Sequence, residues 1–535
     1  MTERETSHWG WGYVDSMPSE GERRRLADLL ESYLGFPERP ALDLPSVDDA
    51  DLPAADVEPP FDWASGDRES RIRHTYGCGY RDLVRGFHGD FSPAPDVVLR
   101  PRDEDDVRTA LDWASREGVA VVPYGGGTSV VGGVECEGEG YAGVASLDLR
   151  GLDRVIEVDE VSRAARIQAG ARGPEIQRAL DDHGLHLRHY PQSYVHSTLG
   201  GWLATHAGGH YATIYTHVDD FVESVRMQTP VGEVGTSRLP RSGAGPYADG
   251  LLLGSEGAFG VFTEAWMRVE PRPRRRAKAT VEFEDFGSAV AAVRDVARSD
   301  LYPANCRLLD RNEALLNQVG GRPRLILGFE SVDGVVESRL ERAVELVETR
   351  GGDVDDVSLD VDGDGGPGGD EEDEPGSDWR SSFFEGPYLF NALVSLGVVV
   401  DTFETSVVWR DFPEFHADVR QRLESEMERV CGAGFVSCRF THVYRDGPAP
   451  YYTFLAPADA GSEIEQWRAL KETAMDVLAD HGAATTHHHA VGRVHRSHLD
   501  REVPGRLLEV MRSMKRTLDP EGVMNPGVLL PGDEA

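Results

Sequence analysis

The chain has 535 residues, 40% of them hydrophobic, and carries 93 acidic against 55 basic side chains for a net charge of −38. That length exceeds a single core and predicts two or three domains, while the charge disfavours nucleic acid and anionic membrane surfaces as partners. No apolar run approaches a membrane-spanning helix, and the first residues lack the basic-then-apolar pattern of a signal peptide, so a soluble cytoplasmic protein is expected. Five scattered cysteines without a C-x-x-C argue against a disulfide framework and a zinc site. Lysine occurs only at 278, 471 and 515. An acidic, lysine-poor surface suits a high-salt cytoplasm, where screening removes self-repulsion.

Residues 1–90 read as an N-terminal extension, with helical spacing of Leu26, Leu29, Leu30 and Leu34 across Glu20–Leu34. Residues 91–272 form a dense α/β region. Asp103–Arg116 predicts an amphipathic helix opened by Asp103. Strands are predicted at Val119–Val122, Val144–Leu149, Val155–Val158 and Ala164–Ala169, and a helix at Gly173–His183 with Pro174 at its start. The basic stretch Arg272–Lys278 reads as a solvated strand entrance. Beyond it, strands at Thr280–Phe283, Ala304–Leu309 and Arg324–Phe329 alternate with helices at Gly287–Arg298 and Gly334–Arg350, predicting a smaller α+β domain over 273–500. Within it, residues 351–378 are acidic, Gly-rich and predicted to be a disordered loop. Residues 501–535 form a C-terminal segment. Two motif matches are discarded. The EF-hand-like run from Asp360 to Glu371 is Asp/Gly-rich by composition, and Gly138-x-Gly140-x-x-Gly143 precedes a strand where a dinucleotide fingerprint needs a helix.

Chemistry concentrates in small-residue segments. Pro123-Tyr124-Gly125-Gly126-Gly127-Thr128-Ser129 follows an apolar strand. Three consecutive glycines let backbone N–H groups approach a ligand and form an anion nest, with a pyrophosphate the natural guest. Ser197, Thr198, Gly200 and Gly201, then Thr205 and Gly208, then Glu256, Gly257, Gly260 and Val261, extend the series. In order, these segments suggest one extended cofactor threaded through the domain. Further on, His487-His488-His489 are adjacent; on a strand His487 and His489 would share one face, so a metal reading would pair those two, and no metal is expected. A histidine near neutral pKa suits proton transfer.

The series P-x-G-G-G-T-S, S-T-x-G-G and G-S-E-G-x-x-G-V resembles the FAD-binding domain of the vanillyl-alcohol oxidase and p-cresol methylhydroxylase superfamily, and Asp519-Pro520 with Met524-Asn-Pro-Gly527 looks like the ending of its FAD-linked oxidase branch. Within it the chain resembles the alkyldihydroxyacetonephosphate synthases. The resemblance rests on Trp9-Gly-Trp-Gly-Tyr13, Phe403-Glu-Thr-Ser-Val407, the Arg439…Tyr451 stretch and His487-His488-His489-x-Val491-Gly492. It implies an α+β fold: a PCMH-type FAD-binding domain, a smaller α+β cap domain and a helical C-terminal section returning to the FAD domain. It implies FAD held by the residues just named, non-covalently because Thr128 stands where covalent members place a histidine. It also implies an enzyme exchanging acyl for alkyl on a dihydroxyacetone-phosphate ester via a flavin adduct, with a small-molecule or lipid-phosphate substrate and a homodimer allowed for. Tyr451 would be the base, relaying its proton to His488, with His487 and His489 beside it and Arg307 on the substrate side. The alternative is a FAD-linked 2-hydroxy-acid dehydrogenase. It draws on one departure: Phe390 and Asn391 occupy the places of the family's arginine and aspartate in Y-x-R-D, and His206 that of a second arginine. An apolar tunnel in the 280–350 region would favour the lipid substrate.

The charge density makes one expectation measurable. Raising salt from about 0.2 M to about 2 M shortens the screening length to a few ångström and should raise the melting temperature, read by differential scanning fluorimetry; a flat or falling curve removes the high-salt reading.

Overall fold

The computed structural model describes residues 4–37, 41–361 and 377–531. Most predicted elements form where their patterns place them. Glu20–Leu34 is a helix whose Ser19 and Glu22 form a capping box, and Asp103 caps the helix Glu104–Glu117. Val119–Tyr124 runs parallel to Gly143–Asp148, which in turn runs parallel to Val97–Leu99, in a four-stranded sheet. These strands are buried almost throughout, which is why they read as unbroken apolar runs. A second, five-stranded antiparallel sheet has the order Val155–Asp159, Ala164–Gln168, Val261–Arg268, Val222–Thr229, Gly232–Gly235. The glycine loop leaves the end of Val119–Tyr124.

The third sheet has seven strands, in the order Asp353–Val361, Arg275–Glu282, Arg324–Ser331, Asn305–Leu309, Phe435–Val443, Pro448–Pro457, Val398–Glu404. Strands from before and after residue 377 thus share one sheet, and its core joins Leu308, Leu325 and Leu327 to Phe403, Phe440, Tyr452 and Phe454. Two expectations are corrected here. Arg275–Lys278 is not an entrance but the first half of a strand, with Arg275 paired to Glu337 and Arg276 to Glu330. Residues 353–361, expected to be disordered, form the edge strand beside it; eight-residue pairing satisfies the backbone of Arg275–Glu282, and that outweighs the polar side chains. The remainder of the Asp/Gly run, with most of the EF-hand match, lies outside the described residues.

Both chain ends are stitched to the middle. Trp9 and Trp11 are buried in the core of the seven-stranded sheet. Asn391 grips the backbone of Trp11 from both sides, Oδ1 accepting its N–H at 2.9 Å and Nδ2 donating to its carbonyl at 3.0 Å. Near the other end, Val121 donates to Val523 and accepts from Asn525. Lys515 holds the Ala258 and Met524 carbonyls at 2.8 and 2.6 Å and pairs with Asp519 at 2.6 Å.

Candidate active site

A cavity of about 1000 Å³ brings the predicted segments together. Pro123–Ser129, Ser197, Thr198, Gly200, Gly201, Thr205, Gly208, Glu256, Gly257, Gly260 and Val261 line it from the FAD-binding half; Arg307, Tyr451, His488 and His489 line it from the seven-stranded sheet and the loop beyond. His487 is not among the lining residues. The glycines are required by close approach: a Cβ on Gly125 would overlap the Thr198 hydroxyl and one on Gly126 the His196 carbonyl, so backbone packs on backbone and leaves the loop N–H groups available to a ligand. Ser197, Thr198, Gly200 and Gly201 form the cap and first turn of a short helix, Leu199–Thr205, rather than an open loop. Glu256, at φ +53°, also braces the site: its carboxylate accepts the Val491 and Gly492 N–H groups at 2.9 and 2.7 Å, and burial pushes its pKa up to about 7.

The histidine triplet lies in a loop, not on a strand, so the predicted alternation of faces is absent. Glu404 organises that loop. Its buried carboxylate accepts the backbone N–H of His487, of His488 at 3.1 Å and of His489 at 2.7 Å, and the Thr486 hydroxyl at 2.6 Å. Burial works against this charge, but the three imidazoles and Thr486 hold the carboxyl well below its usual range. Burial lowers the pKa of all three histidines, that of His487 to about 3, so they are neutral at pH 7. Among the described residues, His442, His487 and His488 each place a ring nitrogen within 4.8 Å of the others, a different grouping from the His487–His489 pair that a metal reading of the sequence would make. The Nδ1 atoms of His487 and His488 face each other at 3.0 Å.

Tyr451 is buried, and its hydroxyl donates to Thr402 Oγ1 at 3.0 Å rather than to His488; the two rings stack at 5.9 Å. The direct relay expected from the sequence is therefore replaced by one contact through hydroxyls and one through ring faces. Burial raises the phenol's pKa, with Arg439 opposing, so Tyr451 is protonated at neutral pH. The Arg439 guanidinium lies 4.1 Å over the Tyr451 ring and pairs with Glu313 at 2.8 Å. Arg307 is 2% exposed, and burial followed by repulsion from Arg439 lowers its pKa. Asp310, on the same stretch, caps the helix Arg311–Leu316 and contacts Arg420.

The apolar part of the cavity does not come chiefly from 280–350, which contributes Leu316. It comes from Trp11, Met17 and Leu26 near the N-terminus and from Leu389, Phe390 and Leu393 on the helix Ser377–Ser395. Phe390 thus presents an aromatic ring where a charge was expected, and Asn391 is committed to Trp11. Sequence reasoning missed Glu404, Thr402, His442 and Glu313. Glu404 sat inside a quoted motif, but its role depends on a sheet edge lying beside a loop more than eighty residues away.

Residues 95–237 match the family profile described as FAD binding domain, and residues 272–529 the one described as FAD linked oxidases, C-terminal domain. Together with the glycine-lined cavity they define an FAD-dependent enzyme of the FAD-linked oxidase type. The chain is 30% identical to the alkyldihydroxyacetonephosphate synthase of Trypanosoma brucei brucei, over 87% of this chain and 78% of that one, and 29% identical to that of Dictyostelium discoideum, over 88% and 79%. It belongs to the alkyldihydroxyacetonephosphate synthase family. A solved synthase structure superposes with a TM-score of 0.82 at 24% identity, covering 98% of this chain and 99% of that one, and so shares the fold.

Two substitutions test the site. Gly126→Ala should fold yet retain little FAD, seen as a loss of visible absorbance relative to protein absorbance. Glu404→Ala leaves three N–H groups without their acceptor and should cost about 3 kcal/mol of stability. Below pH 6.5 the unfolded histidines bind protons that buried His487 refuses until about pH 3, so wild-type stability should fall as pH drops from 7 to 5. Thermal melts across that range check both.

Proposed function

We propose that the enzyme exchanges the acyl group of a dihydroxyacetone-phosphate ester for the alkyl group of a fatty alcohol. The observation that carries this reading is the cavity itself: buried Arg307 and partly buried Arg439 lie at the same site as an apolar lining of Trp11, Met17, Leu26, Phe390 and Leu393, which matches an anionic headgroup joined to a hydrocarbon chain. Family membership supports the synthase over a 2-hydroxy-acid dehydrogenase, whose small substrate has no use for the apolar end.

Bound FAD, cradled by Pro123–Ser129 and the Ser197–Gly201 turn, supplies a redox-active ring able to take and return an electron pair. The protein's own part is positioning and proton handling. Arg307 and Arg439 hold the charged end by charge-assisted hydrogen bonds. Tyr451, protonated and fixed to Thr402, orients the carbon that bears the ester. His488, neutral, lining the cavity and stacked on Tyr451, is the imidazole placed beside the phenol to accept a proton, with neutral His489 and His442 also lining the cavity. The acidic, lysine-poor surface and five free cysteines support a cytoplasmic location in concentrated salt.

The test is anaerobic incubation with a palmitoyl ester of dihydroxyacetone phosphate and hexadecanol. Mass spectrometry should find ether product and free palmitate in equal amounts, with no lasting loss of the oxidised flavin band. Persistent bleaching by D-lactate or glycolate, without ether formation, would establish the dehydrogenase instead.

A further inference from the structure

The exchange just proposed has a proton balance. The ester's bond to the acyl oxygen breaks and the carboxylate leaves with the electron pair; a bond to the alcohol oxygen forms and the alcohol's proton must leave. One proton per turnover therefore passes from an apolar cavity to solvent, and the fold shows a route for it. His488 lines the cavity and is stacked on Tyr451. Its Nδ1 meets His487 Nδ1 at 3.0 Å, and the opposite nitrogen of His487, Nε2, meets the Tyr444 hydroxyl at 2.8 Å. Tyr444 is only partly buried and is hydrogen-bonded to Thr216, whose hydroxyl reaches His217 Nδ1 at 3.3 Å. The His217 ring lies 5.3 Å from that of His206, tilted to it; His206 is about half exposed and paired to Asp219 at 3.0 Å.

We infer that His487 and Tyr444 form a proton exit from His488 to the surface. The inference rests on the transferase reading for the proton it moves. Each nitrogen of His487 has a partner on one side of the route, and the backbone that carries the ring is held on both sides: Glu404 accepts its N–H, and His217 Nε2 contacts its carbonyl at 2.8 Å. With His488 Nδ1–H donating to His487 Nδ1, and His487 Nε2–H to the Tyr444 oxygen, a proton gained by His488 on its other nitrogen releases one from Tyr444 without any group crossing the cavity. Both rings are neutral at pH 7, so neither traps the proton in transit. Neither His487 nor Tyr444 lines the cavity, so both are positioning residues acting through His488.

The experiment uses FAD-loaded Tyr444→Phe and His487→Ala. Each should lower kcat by about 10-fold or more with little change in KM for the acyl ester, enlarge the solvent deuterium isotope effect on kcat, and leave the FAD content intact. Added imidazole should restore part of kcat in His487→Ala, which a merely structural loss would not permit. Unchanged kcat and isotope effect in Tyr444→Phe, or loss in both variants without imidazole rescue, would overturn the route. Failure of the functional reading shows separately, as absence of ether product from the unsubstituted enzyme. The route is then read by proton NMR of the ¹⁵N-histidine-labelled holoenzyme: a solvent-protected downfield imidazole N–H that disappears in His487→Ala supports it, and its absence from the unsubstituted protein overturns it.

Discussion

A single buried carboxylate sets the geometry of the reacting end of this enzyme. Glu404 closes the edge strand of the seven-stranded sheet and accepts three successive N–H groups from a loop that has no regular structure of its own. Backbone N–H groups in an irregular buried segment need acceptors, and an ionised carboxylate in a dry site needs donors. Each solves the other's problem. The cost of burying the charge falls on a residue fixed by strand pairing, with Glu404 opposite Tyr451. The same register that anchors the histidines therefore sets their distance from the phenol.

The FAD-binding half meets this loop through a second carboxylate used in the same way. Glu256 accepts two N–H groups a little further along, those of Val491 and Gly492. One loop is thus held at both ends, by the cap sheet through Glu404 and by the G-S-E-G turn through Glu256. Gly208 completes the junction, since a Cβ there would stand 2.8 Å from that of His488. Cofactor segment and histidine loop are consequently placed relative to one another by two buried carboxylates gripping loop N–H groups and by one close glycine contact, which is the precision that positioning for group transfer needs.

What was legible in the sequence was whatever local pattern dictates. The glycine loop, the Asp103 cap, the buried parallel strands and the adjacency of three histidines are all properties of short windows. The partners that define their roles were not legible, because each comes from pairing across the sheet or from a distant loop. Thr402 accepts the Tyr451 hydrogen bond only because Val398–Glu404 lies beside Pro448–Pro457. His442, Tyr444 and His217 reach His487 from segments separated by more than forty residues. The edge strand at 353–361 was hidden for a related reason: its composition is that of a solvated loop, and only an unsatisfied neighbouring strand makes it extended.

Lysine is so rare in this chain that its positions carry structural information. Two of the three lysines turn inward, Lys471 buried and Lys515 partly so. Lys471, 5% exposed, holds the Thr402 carbonyl at 2.7 Å and pairs with Asp401 at 3.1 Å; Lys515 gathers two carbonyls and Asp519 behind the G-S-E-G turn. A compact ammonium with three donors can satisfy oxygens converging from different directions, which a planar guanidinium cannot do in the same volume. The two sites are the places where the chain uses a point charge: beneath the Tyr451–Thr402 pair and beneath the turn that carries Glu256. Both lie directly behind the cavity, so the rare residue points to the same site as the glycines do, by independent physics.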